Sequence, residues 1–184
     1  DCILDDAVSG AISGIFAATG QTCIAGSRLL LQETIHDQFV EKLVAMAKTA
    51  RLGDPGLAET QVGPVTTPPQ YQKILSYIDI AKGEGAQCVL GGGPATKEEG
   101  GGRYFVKPTI FTGVHNKMRI AQEEVFGPVL AVVGYNGDDD AVRIANDSPY
   151  GLSGTITGGD LERAKDVARR IHTLEGRALA LLSI

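Results

Sequence analysis

Thr19-Gly20-Gln21-Thr22-Cys23-Ile24-Ala25-Gly26-Ser27-Arg28 places one cysteine in a polar, glycine-flanked turn between a helix-like segment and a strand-like run. The commonest use of a free cysteine is as a small buried filler. A nucleophilic thiol sits instead where backbone N–H groups stabilise the thiolate. Two features turn the reading toward chemistry. Gly20 and Gly26 allow close backbone approach to a ligand, and Gln21, Thr22 and Ser27 are polar rather than core-like neighbours.

Upstream, Leu4, Val8, Ala11 and Ile15 recur at helical spacing and predict a helix that ends at Gly20, so that Cys23 follows just beyond it. Gly10 and Gly14 fall on another face, which predicts close packing of that face against backbone. Downstream, residues 28–32 read as a short buried strand. Thr34 and Asp37 have capping-box spacing ahead of a helix with Phe39, Val40, Leu43, Val44 and Ala47 inward. Gly53-Asp54-Pro55-Gly56 breaks that helix. Pro68-Pro69 opens another, with Tyr71, Ile74, Leu75 and Ile78 as its stripe and Gly83 beyond its end.

Residues 86–90 read as a core strand leaving through Gly91-Gly92-Gly93, which lacks the spacing of a phosphate-binding loop. Residues 96–102 form a solvated loop. Pro108 argues against a central strand over 104–112. The apolar run 129–133 reads as a strand covered on both faces. Asp138-Asp139-Asp140 supplies the acidic start of a helix rather than a metal site. A short strand over 153–157 and a helix with Leu161, Ala164, Ala168 and Ile171 inward complete the pattern. Strands alternating with helices predict an α/β three-layer sandwich with a largely parallel sheet, one domain over 1–184.

Composition bounds the partners. The 184 residues carry a net charge of −5 with interspersed signs, which points away from nucleic acid and anionic membrane. Three cysteines, Cys2, Cys23 and Cys88, are odd in number and lack metal-ligand spacing, so no metal is expected and reducing cytoplasm is the expected setting. Cys2 is expected to be exposed and Cys88 to be inert core. His36, His115 and His172 are scattered away from Cys23, which gives no support to a cysteine–histidine protease. No apolar run approaches the ~20 residues of a membrane span. The first residue, Asp1, is not an initiating residue, and a fragment is expected.

A second stretch, Gln122-Glu123-Glu124-Val125-Phe126-Gly127-Pro128-Val129, follows the first by roughly a hundred residues. Together, in this order and at this spacing, the two resemble the signatures of the NAD(P)-dependent aldehyde dehydrogenase superfamily, and the likeness runs from about Asp5 to His172. The resemblance implies that family's catalytic-domain fold, an aldehyde as small-molecule substrate, NAD or NADP as cofactor, and a homo-oligomer. It implies Cys23 as nucleophile, Glu124 at the nicotinamide ribose, Phe126 lining the nicotinamide, and Gln70 and Lys73 reaching the adenosine side. Glu123 reads as a surface acid.

The family's upstream dinucleotide-binding domain, with its Glu-Leu-Gly-Gly base motif and oxyanion-hole asparagine, has no counterpart in these residues. Its downstream tryptophan-containing strand and oligomerisation arm have none either; the chain contains no tryptophan. Residues 174–184 depart from the pattern, as either a shifted reading frame or an artificial end of the sequence would explain. Three readings follow: an aldehyde-oxidising catalytic domain with an incomplete site and poor activity alone, a CoA-acylating relative, and a catalytically silent interaction or assembly domain.

Overall fold

The computed structural model describes residues 2–172 and 179–182. Helix α1 spans Leu4–Phe16, strand β1 Arg28–Gln32, helix α2 His36–Ala47 and helix α3 Pro68–Gly83. Strands β2 and β3 span Gln87–Leu90 and Thr109–Thr112, followed by the single turn α4, Arg119–Gln122. Strand β4 is Val129–Tyr135, α5 Asp138–Asn146, β5 Thr155–Gly158, α6 Leu161–Arg170 and β6 Leu179–Leu182.

The main sheet has the order β1-β4-β3-β2. Strand β4 runs parallel to both β1 and β3, and β2 closes the far edge antiparallel to β3. Helices cover both faces, because β4 is apolar on both. Val129, Ala131 and Val133 enter one core with Ile74 and Ile78 of α3, Ile120 of α4 and Ile144 of α5. Leu130 and Val132 enter the other with Val8 and Ile15 of α1 and Phe39 and Leu43 of α2. This is the three-layer α/β arrangement expected from the alternating pattern, with a mostly parallel sheet.

A second sheet pairs β5 with β6 in parallel. Helix α6 is capped by Asp160, whose carboxylate accepts from the backbone of Glu162 and Arg163. The three aspartates that open α5 each take an arginine. Asp138 accepts two bonds from Arg163 at 2.7 Å, Asp139 pairs with Arg170, and Asp140 pairs with Arg143 at 2.6 Å. The first two tie α5 to α6. Among the described residues no group of histidine, cysteine or acidic side chains could hold a metal. No helix among them is long and apolar enough to cross a membrane.

Several local expectations change. Strand β3 is central and fully buried despite Pro108, because the proline stands just before the strand, where no ladder N–H is needed. Strand β2 is an edge, with Gln87 and Val89 exposed rather than core. The Thr34–Asp37 capping box does not form: a 3-10 turn over Glu33–Ile35 leads into α2, whose N-cap carries no side-chain bond. Gly83 is the last residue of α3, and Gly85, at φ 95°, takes the left-handed position beyond it. The side-chain face of Gly10 and Gly14 does not pack against backbone; a Cβ on either would meet nothing within 4 Å. Cys2 is half-buried against the α1–α2 core rather than exposed. Cys88 is half-buried, its Sγ 3.3 Å from the Leu90 carbonyl. The expectation for 174–184 falls mostly on residues 173–178 and 183–184, which lie outside the described residues.

Leu43 has no exposed surface. Leu43→Ala should therefore cost about 2–5 kcal/mol by lost burial and the cavity left behind. Exposed Glu41→Ala should change stability by less than about 0.5 kcal/mol. Urea denaturation of the two variants checks the pair.

Candidate active site

Helix α1 stops at Phe16, and the chain then turns through three successive left-handed residues: Ala18 at φ 48°, Thr19 at φ 58° and Gly20 at φ 66°. Only glycine takes this conformation freely, and a side chain there costs roughly 1–2 kcal/mol. The strain is held by specific partners. Buried Thr19 donates its hydroxyl to the Gly63 carbonyl at 3.4 Å. Gln21 accepts at Oε1 from the Thr66 amide at 3.0 Å and the Thr66 hydroxyl at 2.6 Å, and donates from Nε2 to the Pro64 carbonyl at 3.4 Å.

The Ala25 amide then closes a turn on the Thr22 carbonyl at 3.1 Å, with Cys23 and Ile24 at its centre. The Gly26 amide fastens the turn back to α1 through the Gly14 carbonyl at 2.9 Å. A Cβ on Gly26 would meet its nearest atoms at 3.9 Å, so of the two flanking glycines Gly20 alone is demanded by close approach. Cys23 is the one exposed thiol of the three. Among the described residues the backbone N–H groups of Cys23 and Ile24 have no hydrogen-bond partner. Ile24 is 66% exposed, an apolar surface beside the thiol. Thr19 and Gln21 also line a cleft of about 690 Å³ with Gly63, Thr66, Arg103 and Tyr104; Cys23 is not part of that lining.

In the second stretch the two adjacent acids differ. Glu123 takes two bonds from Arg119, at 2.7 and 2.8 Å, and one from the Tyr77 hydroxyl. Arg119, and after it Tyr77, hold the Glu123 carboxyl down to about 2. The same bond to Glu123 pushes the Tyr77 hydroxyl up. Lys73 lies over the Tyr77 ring at 5.8 Å and adds positive charge near Glu123. Glu124 is exposed and has no hydrogen bond or ion pair among the described residues. Phe126 is half-buried with φ 57°, a left-handed residue like Thr19. Gln70, in the first turn of α3, donates from Nε2 to both the Val125 and Phe126 carbonyls at 2.9 Å.

The two stretches meet at glycine. A Cβ on Gly20 would lie 2.1 Å from the Gly127 carbonyl oxygen, and one on Gly127 would lie 2.5 Å from Ile74 Cδ1. A polar network joins them again at their other ends. Arg28 donates to Asn116 Oδ1 at 2.7 Å and to the Ile144 and Ala145 carbonyls at 3.2 and 2.9 Å, capping the C-terminal end of α5. Asn116 donates to Asp147, and Gln122 donates to the carbonyls of Asn116 and Asp147 at 2.7 and 2.8 Å. Burial pushes the Arg28 guanidinium down, and Asp147 opposes it. The structure thus joins the turn of Cys23 to the loop of Glu124 and Phe126 through Gly20 and Gly127, with Gln70 bonded to that loop and Lys73 on the neighbouring Tyr77. Thr66, Asn116 and Asp147 were not legible beforehand, since loop residues that bond across the chain carry no spacing signal.

Gly20→Ala should destabilise the chain by about 2–5 kcal/mol, combining left-handed strain with collision on Gly127. Gly10→Ala, in open space within α1, should stabilise it by about 0.5–1 kcal/mol. Thermal and urea unfolding of the two variants separates the roles. The Glu123 pair adds a pH dependence. A depressed carboxyl contributes stability above its unfolded value, about 4.3, and loses it as pH falls through about 2. Glu123→Gln should accordingly be less stable than the parent at neutral pH, with the gap closing between these two values in an acid titration.

A model of the aldehyde dehydrogenase family matches residues 1–175. The betaine aldehyde dehydrogenase of Mesorhizobium japonicum is 43% identical over 172 residues, which is 94% of this chain and 35% of that protein. Aldehyde dehydrogenase 1A1 of Oryctolagus cuniculus is 44% identical over 172 residues, 94% of this chain and 34% of that protein. The crystal structure of a Staphylococcus aureus betaine aldehyde dehydrogenase in complex with NAD+ matches with a TM-score of 0.92 at 37% identity, covering 100% of this chain and 36% of that one. The chain therefore spans roughly a third of the length of these relatives. With the match running through both glycine-joined stretches, this chain belongs to the aldehyde dehydrogenase family.

Proposed function

We propose that this chain is the nucleophile-bearing catalytic domain of an enzyme that oxidises an aldehyde to a carboxylic acid with NAD or NADP. The observation that carries the reading is the exposed Cys23 on a turn with two unpartnered N–H groups, joined through Gly20 and Gly127 to the loop of Glu124 and Phe126.

In this reading the Cys23 thiolate adds to the aldehyde carbon, forming an S–C bond and a tetrahedral oxyanion. The free N–H groups of Cys23 and Ile24 are donors for that oxyanion. Loss of two electrons and a hydrogen from carbon leaves a thioester on Cys23. Water then breaks the acyl–sulfur bond, giving the acid and the free thiolate. NAD(P)+, when bound, supplies the two-electron acceptor. Glu124 fits its ribose: an exposed carboxylate without a protein partner can accept from two hydroxyls. Phe126 lines the nicotinamide side. Relatives solved with NAD+ support the cofactor class.

No residue here matches the family's hydrolytic base or its oxyanion asparagine, so these 184 residues alone should turn over poorly. The half-reaction needs neither the base nor the cofactor. Treated with p-nitrophenyl acetate, the native chain should be acylated at Cys23 in preference to half-buried Cys2 and Cys88, and Cys23→Ser should lose the label. Peptide mass spectrometry locates the acyl group. Equal labelling of Cys2 and Cys23 would overturn the nucleophile assignment.

A further inference from the structure

Gln70 sits where the proposed cofactor loop is most strained. Phe126 holds φ 57° without being glycine, and such a residue persists only when its surroundings over-determine it. The polar part of those surroundings is one side-chain amide. Gln70 Nε2 lies 2.9 Å from the carbonyl oxygens of Val125 and Phe126 alike. Val125 is 3% exposed, so its carbonyl would lose a partner in a largely dry place were the amide removed.

The amide is itself fixed in advance. It projects from the first turn of α3, where Pro68 and Pro69 set the backbone and the Thr67 hydroxyl accepts from the backbone N–H of Gln70 at 3.4 Å. One turn further along α3, Ile74 packs against Gly127. Helix α3 therefore grips the loop at three consecutive residues, 125 and 126 by hydrogen bonds and 127 by van der Waals contact.

An NH2 group has two hydrogens, and here both are directed at carbonyls. Gln70 then has no hydrogen left to donate to a ligand, and only its Oε1 remains as an acceptor. Resting on the functional reading above, we propose that Gln70 is a positioning residue: its NH2 group holds Phe126 in its left-handed conformation at the nicotinamide site and so acts on the cofactor through Phe126.

The test uses the full-length protein that contains this chain, with Gln70→Met, which keeps length and bulk while removing both donors. Cofactor affinity is measured by calorimetry with NAD+ and NADP+. Losing the two bonds should raise the Kd about tenfold. The same change is then made in Phe126→Gly, which has no ring to place and adopts positive φ freely. There Gln70→Met should change the Kd by less than about twofold, since coupled residues are non-additive. Equal effects in both backgrounds would overturn the proposal in favour of direct contact, and no effect in either would overturn it outright.

A second readout needs no cofactor. Amide hydrogen exchange over 122–127 should speed up in Gln70→Met while α3 stays protected, and unchanged exchange would sink the clamp. Should the unmodified protein bind neither nucleotide, the functional reading fails and takes the cofactor role of Gln70 with it. The exchange experiment still reports whether the amide holds the loop.

Discussion

Contact between Gly20 and the Gly127 carbonyl leaves no room for a Cβ at position 20, while Ile74 of α3 leaves none at position 127. The rest of the site depends on it. Each glycine stands shortly before a strand, Gly20 ahead of β1 and Gly127 ahead of β4, and these strands are parallel neighbours. Parallel pairing places the two strand entries side by side, because both chains run into the sheet from the same end. Arg28 lies opposite Ala131, and the Ala131 amide donates to the Ser27 carbonyl at 2.9 Å as the pairing begins. Residues roughly a hundred positions apart thus meet because of sheet register, and glycine lets the backbones close the remaining gap. A side chain at position 20 would force apart the turn that carries Cys23 and the loop that carries Glu124 and Phe126.

The second junction works by hydrogen bonding. Arg28 ends the first stretch and Gln122 begins the second, and both bond to Asn116, while Gln122 also reaches Asp147. Burying a guanidinium is costly, as the downward push on Arg28 reflects, and such a pair adds little net stability over apolar packing. Its directionality is the gain. Arg28 has a fixed fork of donors, and three of its bonds go to the Asn116 side chain and to the last carbonyls of α5. The entry angle of β1 and the seat of α5 against the sheet are therefore set by the same side chain.

Much of the fold was legible in local pattern. The helices carry clear apolar periodicity, the run 29–31 marks β1, although as an edge strand it is mostly half-buried, and β4, apolar on both faces, identifies itself as the centre of a covered sheet. Misreadings occurred where a local rule met a tertiary fact. Pro108 forbids a ladder bond only at its own position, and the strand begins one residue later. Gly10 and Gly14 suggested a packed face, but a side chain at either would project from α1 into open space. Thr34 and Asp37 have capping spacing, yet the 3-10 turn puts the helix start at His36, too late for Thr34 to cap it. The site divided along the same line. Cys23, Glu124 and Phe126, the residues proposed for the site, stand within contiguous motifs, which is why resemblance points to them. Gln21–Thr66, Gln70 on the 125 and 126 carbonyls, and Arg28–Asn116 are bonds between distant segments, which only the folded chain reveals.

Backbone strain gathers around the two stretches proposed for the site. Four residues other than glycine have positive φ among those described: Ala18, Thr19, Tyr104 and Phe126. The first two precede the thiol turn and the last lies in the second stretch. Tyr104 belongs to the support of the first, because its carbonyl accepts from the amide of Val65 at 2.9 Å, between the Pro64 and Thr66 that bond Gln21. Glycine at 18, 19 or 126 would remove the strain but loosen the unfolded and folded chain alike. The molecule instead holds each bend with a side-chain amide on a firm base: Gln21 reaches the loop before α3, and Gln70 reaches back from α3 itself. Both amides bond to backbone groups on either side of the same helix start, Gln21 to residues 64 and 66 before it and Gln70 to 125 and 126 from within it. The Pro68-Pro69 entry to α3 is therefore the common anchor of the thiol turn and the Phe126 loop, and moving it would disturb both at once.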